Sequence, residues 1–235
     1  AYNVAVGSQA GLSVTTGTHN VIIGGLAGDA MTTAVHNVAI GYNAMTAVTE
    51  GNTNIAIGRD ALATNTVGDR NVAIGHEALM TMNPTGDSDN YNVAVGYNAG
   101  KAVTTGVQNT IVGAQAGDAL TTGSYNTVFG YEALTTEDAH SGNTAIGYQA
   151  LRVQDAGTNA YNTAVGHQAG LAISIGTLNT LVGGLAGDAL TTGAQNTAIG
   201  HEALSTEDTG ARNTAIGEGS LKTLNFDGNG YNVAV

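Results

Sequence analysis

Cysteine and tryptophan are absent from this chain, proline occurs once (Pro84), and only six of its 235 residues are Lys or Arg. Each shortage closes a route. Without Cys there is no disulfide framework and no thiolate chemistry, and the redox compartment goes unmarked. Phosphate backbones are bound by basic stripes, so a net charge of −12 argues against nucleic acid and equally against an anionic membrane surface. No apolar run approaches the ~20 residues needed to span a bilayer, so membrane insertion is not expected. With one Pro, the glycine content fits neither collagen nor a Pro-rich linker. No Ser-His-Asp set, phosphate loop or HExxH sequence is present. An enzyme is therefore not expected, nor is a cofactor.

What is abundant is Gly, at 35 residues, together with a strict period. Fourteen times an Asn is followed by three small or branched residues, and thirteen of those times by Gly. Asn3, Asn20, Asn37, Asn54, Asn71, Asn92, Asn109, Asn126, Asn143, Asn162, Asn179, Asn196, Asn213 and Asn232 are separated by ten intervals of 17 residues, two of 19 and one of 21. A short fixed period of this kind describes a stack of similar turns. With each Asn as position zero, +1 is Val, Ile or Thr, +3 is Val or Ile except at Phe129, +4 is Gly, and +7 is Ala except at Ser220. Alternate β-branched residues favour a pleated strand, and the Gly then turns the chain. One strand per 17 residues, always in one direction, predicts an all-β fold: a parallel β-solenoid, or β-roll, of about fourteen coils. It is expected to run as one continuous solenoid over residues 1–235.

In such a stack each Asn lies over the one before it. Asn20, Asn37, Asn54, Asn71, Asn92, Asn109, Asn126, Asn143, Asn162, Asn179, Asn196 and Asn213 are expected to form an interior amide ladder whose role is structural. Position +2 is apolar as well, mostly Ala, with Ile22, Ile111, Val128 and Leu181 as larger cases. A strand apolar on both faces is usually buried on both. One face is expected to fill the coil and the +2 face to meet neighbouring rods packed side by side.

A longer period overlies the short one, in blocks 2–90, 91–160 and 161–230. In the second coil of each block a large +2 residue (Ile22, Ile111, Leu181) coincides with Gly at +8, where later coils have Leu or Met. Bulk at the two positions trades off, as close packing requires. The longer intervals, around Asn83 to Gly86 and Asp227 to Gly230, read as surface bulges.

The phrase Asn-Thr-Ala-Ile-Gly-Tyr-Gln-Ala-Leu (Asn143 to Leu151) and its relatives resemble the head repeats of trimeric autotransporter adhesins and, equally, repeats in bacteriophage tail fibres. The Asn-x-x-Ile/Val-Gly-x-x-Ala core covers essentially the whole chain, although adhesin heads use a shorter coil than 17 residues. The resemblance implies a left-handed roll, association as a homotrimer, an extracellular, cell-surface or virion location, and binding to a host surface or glycan.

Surface chemistry is thin. Tyr42, His76, Tyr97, Tyr131, Tyr148, His167 and His201 share position +5 and are expected to form an exposed column. It reads either as a solvated edge or as a sugar-binding surface, because rings offer flat apolar faces and polar tips. A metal site is not expected, since neighbours in this column do not converge three ligands. Acids at +6 (Asp60, Glu77, Glu132, Glu202), at +9 (Asp29, Asp118, Asp188) and in the pairs Glu137-Asp138 and Glu207-Asp208 read as a solvated face. Abundant Thr raises ice binding as an alternative, but the pairs are adjacent (Thr32-Thr33, Thr191-Thr192), and adjacent strand residues point to opposite faces. Finally, Tyr231 to Val235 repeats Tyr2 to Val6 almost letter for letter with no polar cap. An array that continues is expected, either as a stretch of a longer one or by joining end to end. The expected function is an extracellular fibre or adhesin; the alternative is a passive stalk or filament subunit without its own ligand.

Overall fold

A computed structural model describes residues 2–86 and 88–235. They contain strands, turns and no helix. The chain forms two compact units, Ala1–Thr122 and Gly123–Val235. Each is a parallel β-solenoid with one short strand per coil, and together they supply the fourteen coils that the period predicts.

In the first unit the coil strands are β1 (Val4–Val6), β2 (Val21–Ile23), β3 (Val38–Ile40), β4 (Ile55–Ile57), β6 (Val72–Ile74), β8 (Val93–Val95) and β9 (Thr110–Val112). Two further short strands, β5 (Gly68–Asp69) and β7 (Ser88–Asp89), pair with each other where the 21-residue interval begins and ends. In the second unit they are β10 (Thr127–Phe129), β11 (Thr144–Ile146), β12 (Thr163–Val165), β13 (Thr180–Val182), β14 (Thr197–Ile199), β15 (Thr214–Ile216) and β16 (Val233–Ala234). Within each unit successive coil strands pair in parallel and without offset: Val38, Ala39 and Ile40 lie against Ile55, Ala56 and Ile57. Residues one period apart are therefore direct neighbours, so the sequence columns are columns in space.

The interior reverses one expectation. It is the +2 residue that points into the coil: Ile22, Ala39, Ala56, Ala145 and Leu181 are all fully buried, while +1 and +3 are partly or fully exposed. The +2 face is thus the lining of the roll and cannot be the face on which rods meet. The physical reason is cross-section. A 17-residue coil returns its +7, +8 and +11 side chains to the same interior, as with Ala44, Met45 and Val48, and a small +2 residue is what leaves them room. The expected trade between +2 and +8 follows. A methyl group placed on Gly187 would lie 2.8 Å from Leu181 Cδ2 and 2.8 Å from Leu190 Cδ1.

Gly at +4 answers to two demands at once. Gly41 has φ 132°, and a Cβ there would sit 2.5 Å from the carbonyl oxygen of Gly58 in the next coil. The coil also uses left-handed backbone at residues with side chains. Met45 and Leu62 at +8, Asn43 and Glu77 at +6, and His36 and Tyr91 just before the Asn all have φ between 47° and 62°. Such residues cost on the order of 1 kcal/mol each. Coil-to-coil backbone hydrogen bonds at those same residues, such as Met45 N–H to Ala61 O at 3.0 Å and Asn43 N–H to Gly25 O at 3.1 Å, offset that cost.

Candidate surface columns and binding site

The twelve interior Asn of the column are buried and hydrogen-bonded, although Asn143 Nδ2 finds no partner. Asn179 is representative: its Nδ2 donates to the carbonyl of Gly193, 14 residues on in the same coil, at 2.9 Å. Its Oδ1 accepts the backbone N–H of Asn196 in the next coil at 2.9 Å. The side chain thus pins its own coil shut and holds the next in register. Asn20 and Asn37 in the first unit do the same. The ladder is mainly amide to backbone rather than amide to amide; direct side-chain pairs such as Asn71 to Asn54 at 3.2 Å are the minority pattern. Asp would lack the donor and Ala both groups, which explains Asn by chemistry alone.

At +5, the rings do form columns. In the first unit His76 stacks on Tyr97 at 5.4 Å between centroids. In the second, Tyr131, Tyr148 and His167 stack successively at 5.7 and 5.2 Å, with planes within 12° of parallel. Tyr42, Tyr97, Tyr131 and Tyr148 are each about half exposed, and His167 and His201 are exposed. Tyr42 sits over Gly25 and His201 over Gly184. The flat faces are largely turned on one another along the stack, so edges and hydroxyls are what the column presents outward.

Beside these rings runs a polar strip at +6. Gln168 Nε2 donates to Gln149 Oε1 at 3.0 Å, and Gln149 Nε2 to Glu132 Oε2 at 2.8 Å. The hydrogen bonds from Gln149 and from the Tyr131 hydroxyl, with Arg152 behind them, hold the Glu132 carboxyl below its ordinary range. Bonding to that carboxylate raises Tyr131 in turn. The other +6 acids are also partnered: Glu77 with Lys101 at 2.6 Å, Asp60 with Arg59 at 3.0 Å and Glu202 with Lys222. Lys101, Arg152 and Lys222 all stand at +9 of the following coil, so Glu77, Glu132 and Glu202 each pair across coils, while Asp60 pairs within its own.

The paired acids correct a second expectation. Glu137 and Glu207, read from sequence as part of a solvated face, are completely buried. They occupy +11, an inward position filled in most other coils by Val, Leu, Ile or Met and in two by Asn65 and Gln154, and cap the turn that follows. Glu207 Oε1 accepts Gly210 N–H at 2.8 Å. Glu137 Oε1 accepts His140 N–H at 3.0 Å and pairs with His140 Nδ1 at 2.6 Å, while its Oε2 accepts from Gln154. Ligand atoms of Glu137, Asp138, His140 and Asp155 lie within 4.8 Å of one another, as do those of Asp60, His76 and Glu77. In both groups hydrogen bonds or ion pairs already engage the carboxylates.

Two columns escaped sequence reasoning. The residue before the Asn supplies short runs of ring contacts, with His19 stacked on Tyr2 at 5.1 Å and the guanidinium groups of Arg70 and Arg212 over Tyr91 and Tyr231. The recurring Tyr-Asn dipeptide was their signal. The other is a row of outward Thr at +1 on strands β10 to β15, from Thr127 to Thr214. The Thr at +12 behave differently: Thr32 and Thr191 donate to the carbonyls of Thr49 and Asp208 in the next coil, at 3.1 and 3.0 Å.

No enclosed cavity is present among the described residues. No protein-family model matches the chain, and no curated protein matches it.

Proposed function

We propose that the chain is a structural module of an extracellular fibre, whose solenoids associate side by side with further copies through the outward face of the sheet. The observation that supports this is the composition of that face. Every complete coil presents a +1 and a +3 residue outward, and in all of them these are Val, Ile, Thr or Phe, with no charge in either column. Val6, Ile55, Phe129 and Ile199 are 57, 36, 55 and 39% exposed. Seven strands roughly 4.8 Å apart and about 7 to 10 Å wide make a stripe on the order of 300 Å² in each unit. That matches the low end of the largest apolar patch on an ordinary soluble protein, about 300 to 600 Å², a patch that is often functional. It is below the ~800 Å² per partner of a standard interface, so flanking columns would have to join it. Three copies is the number that the resemblance to adhesin heads implies.

The test is the solution mass by light scattering, for the native chain and for a variant carrying Ile55→Lys and Ile199→Lys. Native oligomers that the two lysines dissociate support the reading. A native monomer at high concentration refutes it.

A second reading is glycan binding along the +5 column of the second unit, favoured by the adjacency of Tyr131, Tyr148 and His167 to the Glu132, Gln149 and Gln168 strip. A glycan array distinguishes this from a passive stalk: hits that Tyr148→Ala abolishes favour a binder, and silence from a folded protein favours the stalk.

A further inference from the structure

The two units do not present the same outward face. In the first, position +1 is Val on β1, β2, β3, β6 and β8 and Ile on β4. In the second it is Thr on every strand from β10 to β15. Position +3 is Val or Ile in both units apart from Phe129. Val and Thr share a branched shape that suits a strand, so the difference is a methyl group against a hydroxyl. Among the described residues, none of these Thr hydroxyls is hydrogen-bonded within the chain, and water satisfies them. A partner pressed on that face would have to replace each such bond, whereas the Val face offers only apolar groups. The positions flanking the strand strengthen the contrast. In the first unit −1 and +5 hold Tyr42, Tyr91 and Tyr97, each about half exposed, with Arg59 and Arg70. None of that unit's eight acids falls at −1, +1, +3 or +5. Each unit has three Lys or Arg, but the second has ten acids, one of them, Glu218, at +5.

We propose that the aliphatic face of the first unit is the surface through which this chain self-associates, closed against the same face of a second copy, while the Thr-bearing face keeps its water. The inference rests on the side-by-side reading above and assigns the contact to one unit. Area supports it. Seven strands ~4.8 Å apart, widened from the two central columns to four, make a face on the order of 600 Å², near the ~800 Å² per partner of a standard interface. Composition supports it too. An apolar centre flanked by Tyr and Arg, and free of carboxylates, is the make-up of a protein–protein contact. Electrostatics explains why like meets like. In a chain of net charge −12, two copies repel least where neither brings an acid. Arg59 and Arg70 are each paired with an acid of their own chain, Asp60 and Asp89, and so add no bare charge to the contact. Closing the first face on the second unit's face instead would set Thr hydroxyls against Val and Ile side chains, which neither accept nor donate.

The experiment measures the association constant of the full chain by analytical ultracentrifugation across a dilution series, with Ile55→Lys and Ile199→Lys made separately and their folds checked by circular dichroism. Ile55 stands on β4, the middle of the first unit's seven strands, and so meets its own copy whether two faces run parallel or antiparallel. Ile55→Lys should weaken association roughly a hundredfold or more, and Ile199→Lys by less than about threefold. A lysine also perturbs the strand it sits on, so a milder pair accompanies it. Val38→Thr with Val72→Thr gives the first unit the residue that the second carries at +1, and should weaken association about tenfold with the fold intact. The chain has no Cys, so Ile55→Cys introduces a lone thiol and should yield a covalent dimer on mild oxidation. Dissociation by Ile199→Lys as complete as by Ile55→Lys overturns the assignment to the first unit and leaves side-by-side association standing. A folded Ile55→Lys chain that stays oligomeric overturns it too, as does an Ile55→Cys oligomer that gives no covalent dimer. A native chain that is monomeric at every concentration removes both readings.

Discussion

Replacing Asn179 by Ala should be among the most damaging single substitutions in the second unit. Asn179 is 1% exposed and joins two coils. Truncation strands the buried carbonyl of Gly193 and the buried N–H of Asn196, which it currently satisfies at 2.9 Å each. An unsatisfied buried backbone group costs about 1 to 3 kcal/mol, so the pair amounts to roughly 2 to 6 kcal/mol. Little relaxation is available, because the coils above and below are held by their own Asn residues. In a stack of nearest-neighbour units the damage stays local, so urea unfolding followed by far-UV circular dichroism should show an early partial transition. Hydrogen exchange should show lost protection at Asn196 while Asn20 is unaffected. Asn179→Asp sharpens the test: it keeps the acceptor for Asn196, loses the donor to Gly193 and buries a charge, so at neutral pH it should be at least as harmful as Ala. Thr192→Ala, at an exposed position, should change stability by no more than ~0.5 kcal/mol. A loss below ~1 kcal/mol for Asn179→Ala, or a native-like Asn179→Asp, would refute the pinning role.

Gly187→Leu should destabilise the second unit by about 1 to 3 kcal/mol through overpacking against Leu181 and Leu190. Adding Leu181→Ala should restore much of the loss, because it recreates the pairing of Ala198 with Leu204; additive effects in a denaturation cycle would contradict the volume trade. Asp188 predicts a pH dependence. Desolvation, and then the charge of Glu202 among lesser causes, raise its carboxyl above the ordinary value, and its Oδ1 is buried without a partner. The folded state holds that proton more tightly than the unfolded one, so its contribution is complete below the unfolded pKa and is lost as pH rises through the folded one. Asp188→Asn should therefore stabilise at neutral pH, by less than ~1 kcal/mol for a half-exposed group, and do nothing in strong acid. Glu202, lowered chiefly by its bond from Lys222, runs the other way: Glu202→Gln should cost stability near neutrality and become silent as acid protonates the native carboxyl. Thermal melts across pH check both signs. If a second copy covers the outward Thr row, thermal hysteresis should be absent; measurable hysteresis with ice shaping would point to a free ice-binding face instead.

The Asn-x-x-Ile/Val-Gly-x-x-Ala run by itself determined the strand, the turn after it, the parallel stacking and the burial of Asn, because period and residue type leave a repeating chain few other solutions. The reciprocal bulk of Leu181 and Gly187 was legible for the same reason. Tertiary structure alone decided which face is inside. Val38, Ala39 and Ile40 are all apolar, so no polar alternation marks the outer side, and only coil closure, which brings Ala44, Met45 and Val48 against Ala39, turns that residue inward. It also decided that Glu137 and Glu207 are interior, since a carboxylate is tolerated there only because turn N–H groups happen to meet it. Left-handed backbone at Met45 and Glu77 was equally hidden, for those side chains carry no local preference for it and are each held by a backbone bond to a neighbouring coil. The +5 column could be read as a column, but that neighbouring rings such as Tyr131, Tyr148 and His167 face one another is a consequence of coil spacing, which no single coil contains.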